Sequence, residues 1–306
     1  MASMNLTFLG TGCMVPTNER NHTSLALEYN GKIFLFDCGE ATQHQIKKFK
    51  VSIGSIKKIF LSHFHGDHVL GLPGLIQTLS NTQGIEKIEI YGPKDAKKFV
   101  NHMLNMTIFD SKVPIEIHEL KPKKSELLTV LETSEYRISC AQLNHSIPCI
   151  GYRFEEKDVL NIDKEKAKEL GLENSPQLAR AKMALPIEHN GKKIYPEAIT
   201  YIKKGKKVAL VFDTRPCEEI NLLAKDADYL VMEATYKYAT HYEKAEEYDH
   251  MSAKETAEIA AQNGVGELII THFSQRYKDV TEVEDEARES FENTTTAYDG
   301  FKKKLK

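Results

Sequence analysis

Residues 61–75 read LSHFHGDHVLGLPGL, and they follow the apolar run IKKIF with three histidines and an aspartate inside six positions. Residues two apart in extended chain point to the same side. A strand running out through His63 and His65 therefore presents both imidazoles to one ion. Gly66 permits a sharp turn. Asp67 and His68 then open the next helix and aim elsewhere, where they can serve a second ion. Imidazole and carboxylate without thiolate suit Zn²⁺, Mn²⁺ or Fe²⁺ in an open catalytic site more than a structural cysteine site. The competing reading is a chance histidine-rich loop. It loses ground because other apolar strands also end on polar residues: Asp37, His145, Asp213, Glu233 and His272.

The rest of the chain sets the frame for that loop. It has 306 residues, a net charge of −3 and five cysteines in no CxxC pair. An odd, unpaired set of cysteines fits a reducing compartment, and a cytoplasmic location is expected. No apolar run approaches the roughly 20 residues that span a bilayer, so no membrane association is expected. The N-terminus lacks the pattern of a signal peptide, and its first three residues read as an extension ahead of Met4. Charge is uneven. Residues 192–207 hold six lysines and one glutamate, KPKK (121–124) and KKKLK (302–306) are basic, and 279–292 is acidic. Such patches can meet phosphates even in a mildly acidic chain.

Strands dominate the first half. GKIFLFDCG and SLALEY pair through Asn30-Gly31, IKKIFLSH is a buried strand, and YRISCAQLNH alternates toward His145. Strand–helix units follow from KVALVFDT onward, with Ser252 capping a helix, and a sheet structure covered by helices is implied. From 156 to 204 the pattern loosens. A helix capped by Asp163 is followed by prolines and charges, which read as an arm inserted into one catalytic domain spanning 1–306.

HxHxDH with a downstream His, Asp and His resembles the metallo-β-lactamase superfamily, whose fold is an α/β sandwich of αβ/βα layers with metals at one edge. FLGTG, PTNERNHTS, FDCGEATQ, LSHFHGDHVLGLPGL, NHSIPCIGYR, FDTRP, EATY, HMS and THFSQRY together resemble the short-form ribonuclease Z family of tRNA 3′-processing endonucleases. These matches cover nearly all of the chain outside 156–204.

The resemblance implies two zinc ions per subunit, one on His63, His65 and His145 and one on Asp67, His68 and His272, with Asp213 bridging. It implies in-line attack of a metal hydroxide on a phosphodiester that removes the 3′ trailer of precursor tRNA and leaves a 3′-hydroxyl. Asp67 would orient the nucleophile, and Glu233 with His250 would serve the leaving oxygen. It further implies a homodimer in which the arm of one subunit presents RNA to the site of the other. Lys182, Lys192 and Lys193 on the arm and Arg215 beside Asp213 are the expected RNA contacts, and Arg20, Asn21 and Ser24 match a family loop near the metals.

The chain departs from the family in three places. Met232 stands in MEAT where a histidine is usual, which means either a changed proton path or a packing position. Ala41 stands in GEATQ for a glycine, so positive φ is not expected there. The arm lacks the family's Gly-Pro stretch, so a structural subdomain is its alternative. A small-molecule hydrolase or phosphodiesterase of the same superfamily is the alternative function, because fold and ligands do not fix the substrate.

Overall fold

The computed structural model describes residues 3–306, so Met1 and Ala2 of the N-terminal extension lie outside the described residues. Two seven-stranded sheets face each other. The first runs in the order Lys302–Lys304, Met4–Gly10, Ser24–Tyr29, Lys32–Phe36, Ile56–Phe60, Ile88–Gly92 and Ile115–Glu119. The second runs Thr294–Thr296, Glu267–Thr271, Tyr229–Glu233, Lys207–Val211, Cys149–Glu156, Tyr136–Leu143 and Leu128–Glu132.

The side-chain period of two explains the layers. In Lys32–Phe36, Phe34 and Phe36 join Phe60, Tyr152 and Phe154 between the sheets. Ile33 and Leu35 face the other way, under Leu72, Leu75 and Leu79 of the helix Leu72–Ser80. Both faces are buried, so the strand reads as an unbroken apolar run. In the second sheet Val231 and Ile269 point inward, while Met232 and Ile270 lie under Ala253, Ala257 and Ala260 of the helix Ala253–Gln262. The result is the expected sandwich, with helices on both outer faces. Parallel strands of both sheets end at one edge of the sandwich, and Asp37, His63, Asp213, Glu233 and His272 lie at or just beyond those ends. Ligand sites in α/β folds collect at such carboxyl ends.

Local expectations at turns and caps are met. Asn30 and Gly31 take φ of 50° and 76° between paired strands. Asp163 accepts from the Lys166 amide, and Ser252 forms a reciprocal capping box with Glu255. The basic end of the chain differs from a plain tail: Lys302–Lys304 pairs antiparallel with Met4–Gly10 as an edge strand. Lysines on an edge disfavour pairing with another chain.

Residues 156–204 form a folded module. Val159–Ile162 and Thr200–Lys203 pair as a two-stranded stalk. Beyond it, Ala167, Leu172, Ala181, Ile187 and Ile199 build a small core of their own, joined by Ile162, Leu178 and Ile194. Lys182 ends the helix Leu178–Lys182, and Lys192 and Lys193 lie in the strand Lys192–Ile194.

The expectation for Ala41 is wrong. Its φ is 65°, in the left-handed region, immediately before the helix Thr42–Lys48. Ala41 lies in a loop with little room to adjust. A Cβ on Gly39 would lie 2.4 Å from the Asp67 carbonyl oxygen, and one on Gly71 would lie 2.1 Å from the Gly39 carbonyl oxygen. The Cys38 amide donates to His68 O at 2.7 Å, and the Gly71 amide to Cys38 O at 2.9 Å. FDCGEATQ and HGDHVLGL are thus locked backbone to backbone, and the turn is dictated by that contact rather than by the residue at 41. Ala41→Gly should stabilise the protein by about 1 kcal/mol, the relief of left-handed strain less the greater chain entropy of glycine. Equilibrium denaturation checks this.

Candidate metal centre

Two groups of side chains converge at the shared edge of the sheets. In the first, His63 Nε2 and His145 Nε2 lie 3.1 and 3.2 Å from His65 Nδ1, with Asp213 Oδ2 3.6 Å from His63 Nε2. In the second, His68 Nε2 and His272 Nε2 are 3.2 Å apart and each 3.5 Å from Asp67 Oδ2. Asp213 Oδ1 is 3.3 and 3.1 Å from those two nitrogens. One carboxylate therefore gives an oxygen to each group. Oδ1 is buried and makes no hydrogen bond within the described residues. A buried carboxylate oxygen without a donor, facing imidazole nitrogens, is an arrangement that a cation satisfies. Each set of donor atoms lies within 4.8 Å of one another. The residues fit a pair of divalent ions.

The opposite nitrogens of the rings explain why these rings face inward. His68 Nδ1–H donates to Asp37 Oδ2 at 2.7 Å, and Asp37 also accepts from the Ser62 amide and hydroxyl. His63 Nδ1 lies 2.9 Å from the same Ser62 hydroxyl. His145 Nδ1–H donates to Asp249 O at 3.0 Å. His272 Nδ1–H donates to Thr235 Oγ at 2.9 Å, and that hydroxyl donates to Glu233 at 2.6 Å. Four rings thus turn Nε2 toward the centre, the way outer hydrogen bonds orient metal-binding histidines. Asp37, Asp249 and His272 all have positive φ, of 53°, 56° and 62°. Backbone strain of this kind gathers at functional sites and is held there by the surrounding structure. From the second sheet, the Tyr152 hydroxyl holds Leu61 O at 2.7 Å, fixing the start of the histidine loop.

Electrostatics follow the same division. Burial, with His68 nearby, pushes His63 well down, and burial with His145 lowers His65. Both stay neutral, as ligands must. Burial would raise Asp67, but His68 and the hydrogen bond from His272 outweigh it and hold the carboxyl far below its usual range. Burial likewise opposes ionisation of Asp213, and His272, His68, His250 and His63 overcome it. Burial works against a charge on His68, yet Asp213, Asp67 and Asp37 together pull it well up. Three carboxylates draw positive charge to this spot, which a divalent ion supplies.

Glu233 is fully buried and accepts from the Thr214 amide at 2.7 Å, the Met251 amide at 3.1 Å and the Thr235 hydroxyl. Its Oε2 lies 3.2 Å from His250 Nδ1. Glu233 therefore positions its neighbours and does not face substrate. His250 does line the cavity over the metal centre. Burial lowers its proton affinity, but Glu233, Asp213 and a contact with Cys13 raise it well above that of a free imidazole. Met232 points into the helix-side core, so its place in MEAT is a packing position.

Other expected contacts are spoken for by the protein. Arg215 donates to His250 O at 2.6 Å and pairs with Glu255 at 2.9 Å, so it braces His250, and no direct substrate contact is proposed for it. Arg20 donates to the Ser274 and Tyr277 carbonyls, Ser24 to Asp37 O, and Asn21 to Asp299. All three are buried or turned inward as loop supports. Lys182, Lys192 and Lys193 do not line the cavity over the centre.

That cavity, of about 450 Å³, is floored by His65, Asp67, His145, Asp213 and His250 and walled by Met14, Tyr236, Tyr248 and Arg276. Sequence reading passed over Met14, whose amide donates to Asp67 Oδ2 at 2.8 Å, and the exposed pair Tyr248 and Arg276. Arg276 sits inside the quoted THFSQRY, but nothing in that string distinguishes it from a surface arginine.

The chain is similar to several known proteins. A family model described as Anti-Pycsar protein Apyc1 matches residues 4–175, a span that includes His63, His65, Asp67, His68 and His145 and stops short of Asp213. A protein named ribonuclease Z from Methanothermobacter thermautotrophicus is 39% identical over 297 residues, covering 97% of this chain and 95% of that one. The crystal structure of human tRNase Z, short form, superposes with a TM-score of 0.71 at 26% identity, covering 98% of both chains. The metallo-β-lactamase fold protein YhfI from Bacillus subtilis shares the fold, with a TM-score of 0.69 at 18% identity and full coverage of both chains (100%).

Asp37 gives the sharpest test of the outer layer, since it touches His68 and the Ser62 that holds His63. Asp37→Asn should weaken metal binding by roughly 10–100-fold while leaving the fold intact. Competition against a chromophoric chelator, with circular dichroism as control, reads this out.

Proposed function

The chain belongs to the ribonuclease Z family, and from that premise we propose that it is a metal-dependent endoribonuclease that removes the 3′ trailer of precursor tRNA. The cut leaves a 3′-hydroxyl on the tRNA. The observation that carries the reading is Asp213, with one oxygen toward each histidine group on the floor of an open cavity. The donors suit two zinc ions per subunit, and Mn²⁺ or Fe²⁺ would be accepted by the same atoms. Bound there, such ions would polarise the phosphodiester and make water acidic enough to attack near neutral pH.

The chain's own residues would do the rest. Asp67 stays ionised, and Met14 N–H holds its Oδ2, so the carboxylate can accept a hydrogen bond from the attacking water and aim it. His250 keeps a proton, with Nδ1 turned to Glu233, so Nε2 is the nitrogen that can protonate the departing 3′-oxygen. Glu233 and Arg215 hold His250 from opposite sides, through its ring and its carbonyl.

Lys182, Lys192 and Lys193 are proposed to meet tRNA phosphates from the folded arm, fixing position without reading sequence. A homodimer is also proposed. It is supported by exposed Leu70, Phe99, Met106 and Ile108, apolar residues on and around neighbouring helices of the first sheet's outer face. A cytoplasmic location fits five cysteines that are all free. Among the described residues no helix is long and apolar enough to cross a membrane.

Metal-loaded protein incubated with a precursor tRNA should give one cut at the end of the acceptor stem, mapped by sequencing both products. Hydrolysis of small phosphodiesters alone would favour the small-molecule reading instead. His250→Ala should lower kcat on RNA by roughly 10²–10⁴-fold, the usual worth of a general acid. It should cost far less on bis(p-nitrophenyl) phosphate, whose leaving group needs no proton.

Replacing the arm beyond its stalk with a short turn between Ile162 and Thr200, which are already paired, should leave that diester a substrate. The same deletion should abolish cleavage of precursor tRNA. Unchanged RNA cleavage would remove the arm from the account.

A further inference from the structure

The cavity over the metal centre has a neighbour. His145 and Ser146 line it, and both also line a second cavity of about 520 Å³ on the other side of the same loop. That loop is the tip of the hairpin joining Tyr136–Leu143 to Cys149–Glu156. The tip is pinned from below, with Arg215 N–H donating to Asn144 O at 2.7 Å and Asn144 N–H to the Thr214 hydroxyl at 3.2 Å. It therefore acts as a fixed ridge between two hollows.

The second hollow is basic and rigid. Pro93, Pro122 and Pro148 are among its lining residues, Pro148 exposed and the other two buried, and Lys94 and Lys121 stand exposed at it. Lys121 and Pro122 begin the KPKK run, which no part of the metal centre uses. The two chain segments that meet here, 93–97 and 119–126, carry five lysines against the three carboxylates Asp95, Glu119 and Glu126. Glu119 lies 3.1 Å from Lys121 and offsets part of that charge. The excess remains positive, beside a site built for a phosphodiester.

We propose that this second cavity holds the single-stranded trailer beyond the scissile phosphate, with Lys94 and Lys121 on its backbone phosphates. The inference rests on the reading of the chain as a tRNA 3′-endonuclease. Non-specific grips on single strands combine a positive groove along the backbone with flat surfaces under the bases. Here exposed Pro148 offers a flat surface and the two lysines are the groove. The hollow has the size of a small-ligand pocket, which suits one unpaired strand and not a helical stem. A strand leaving the metal centre would cross the ridge at Ser146 and reach the lysines only if it extends past the first nucleotide.

The test compares wild type with Lys94→Ala/Lys121→Ala on two precursors that share one tRNA body. One ends in a single-nucleotide trailer and the other in a long one. The double variant should lower the long-to-short ratio of kcat/KM about tenfold and make the salt dependence for the long trailer shallower. The slope should change by roughly one to two, close to one per lost phosphate contact. Lys94→Arg/Lys121→Arg should restore both. An unchanged ratio, or equal losses on the two precursors, overturns the proposal. A wild-type protein that hydrolyses bis(p-nitrophenyl) phosphate but cuts neither precursor overturns the underlying reading as well, which separates the two failures.

Discussion

Asp213 sets one carboxylate oxygen 3.1 Å from His272 Nε2 and the other 3.6 Å from His63 Nε2, with the side chain itself buried. Putting an ionised carboxylate there is costly unless opposite charge meets it. The remainder of the edge is arranged to meet that demand. Four histidines are turned so that Nε2 faces inward, each by a fixed partner on its other nitrogen. Those partners, Asp37, Ser62, Thr235 and Asp249, come from different segments. The two sheets must therefore be assembled before the centre exists. Strained backbone at Asp37, Asp249 and His272 marks where the fold yields to the site rather than the reverse.

Much of this was legible beforehand, for a physical reason. A strand that runs out through His-x-His and turns at glycine constrains where its side chains go, so the loop at 63–68 could be read as half of a dinuclear site. Strand ends at Asp37, His145, Asp213, Glu233 and His272 were readable from apolar runs that stop on a polar residue. The roles of those ends were less readable. Glu233 was readable as the partner of His250, which lies 3.2 Å away, but its other bonds to Thr214, Met251 and Thr235 were not. Arg215 looked like an anion contact because of its place after Asp213, and its guanidinium faces Glu255 instead. Hydrogen-bond partners distant in sequence decided both.

Two other departures have the same origin. Ala41 replaces a family glycine, and the natural inference was a relaxed backbone. The contact between the 37–41 loop and the histidine loop forces the left-handed turn regardless, and the alanine tolerates it. The lysines at 302–304 carry no strand signature, and they pair only because Met4–Gly10 offers an open edge. The arm is the reverse case. Its loose pattern suggested irregular chain, but a handful of small and aliphatic residues suffices to close a core of its own above a paired stalk.

The proposed chemistry requires the two groups of ligands to act as one dinuclear centre. Anomalous diffraction from crystals of the metal-loaded protein tests this directly. The prediction is two ions roughly 3.5–4 Å apart, the spacing of two-metal hydrolytic sites. His63, His65 and His145 should hold one, Asp67, His68 and His272 the other, and Asp213 should touch both. A single ion, or two ions of which Asp213 binds only one, would contradict it.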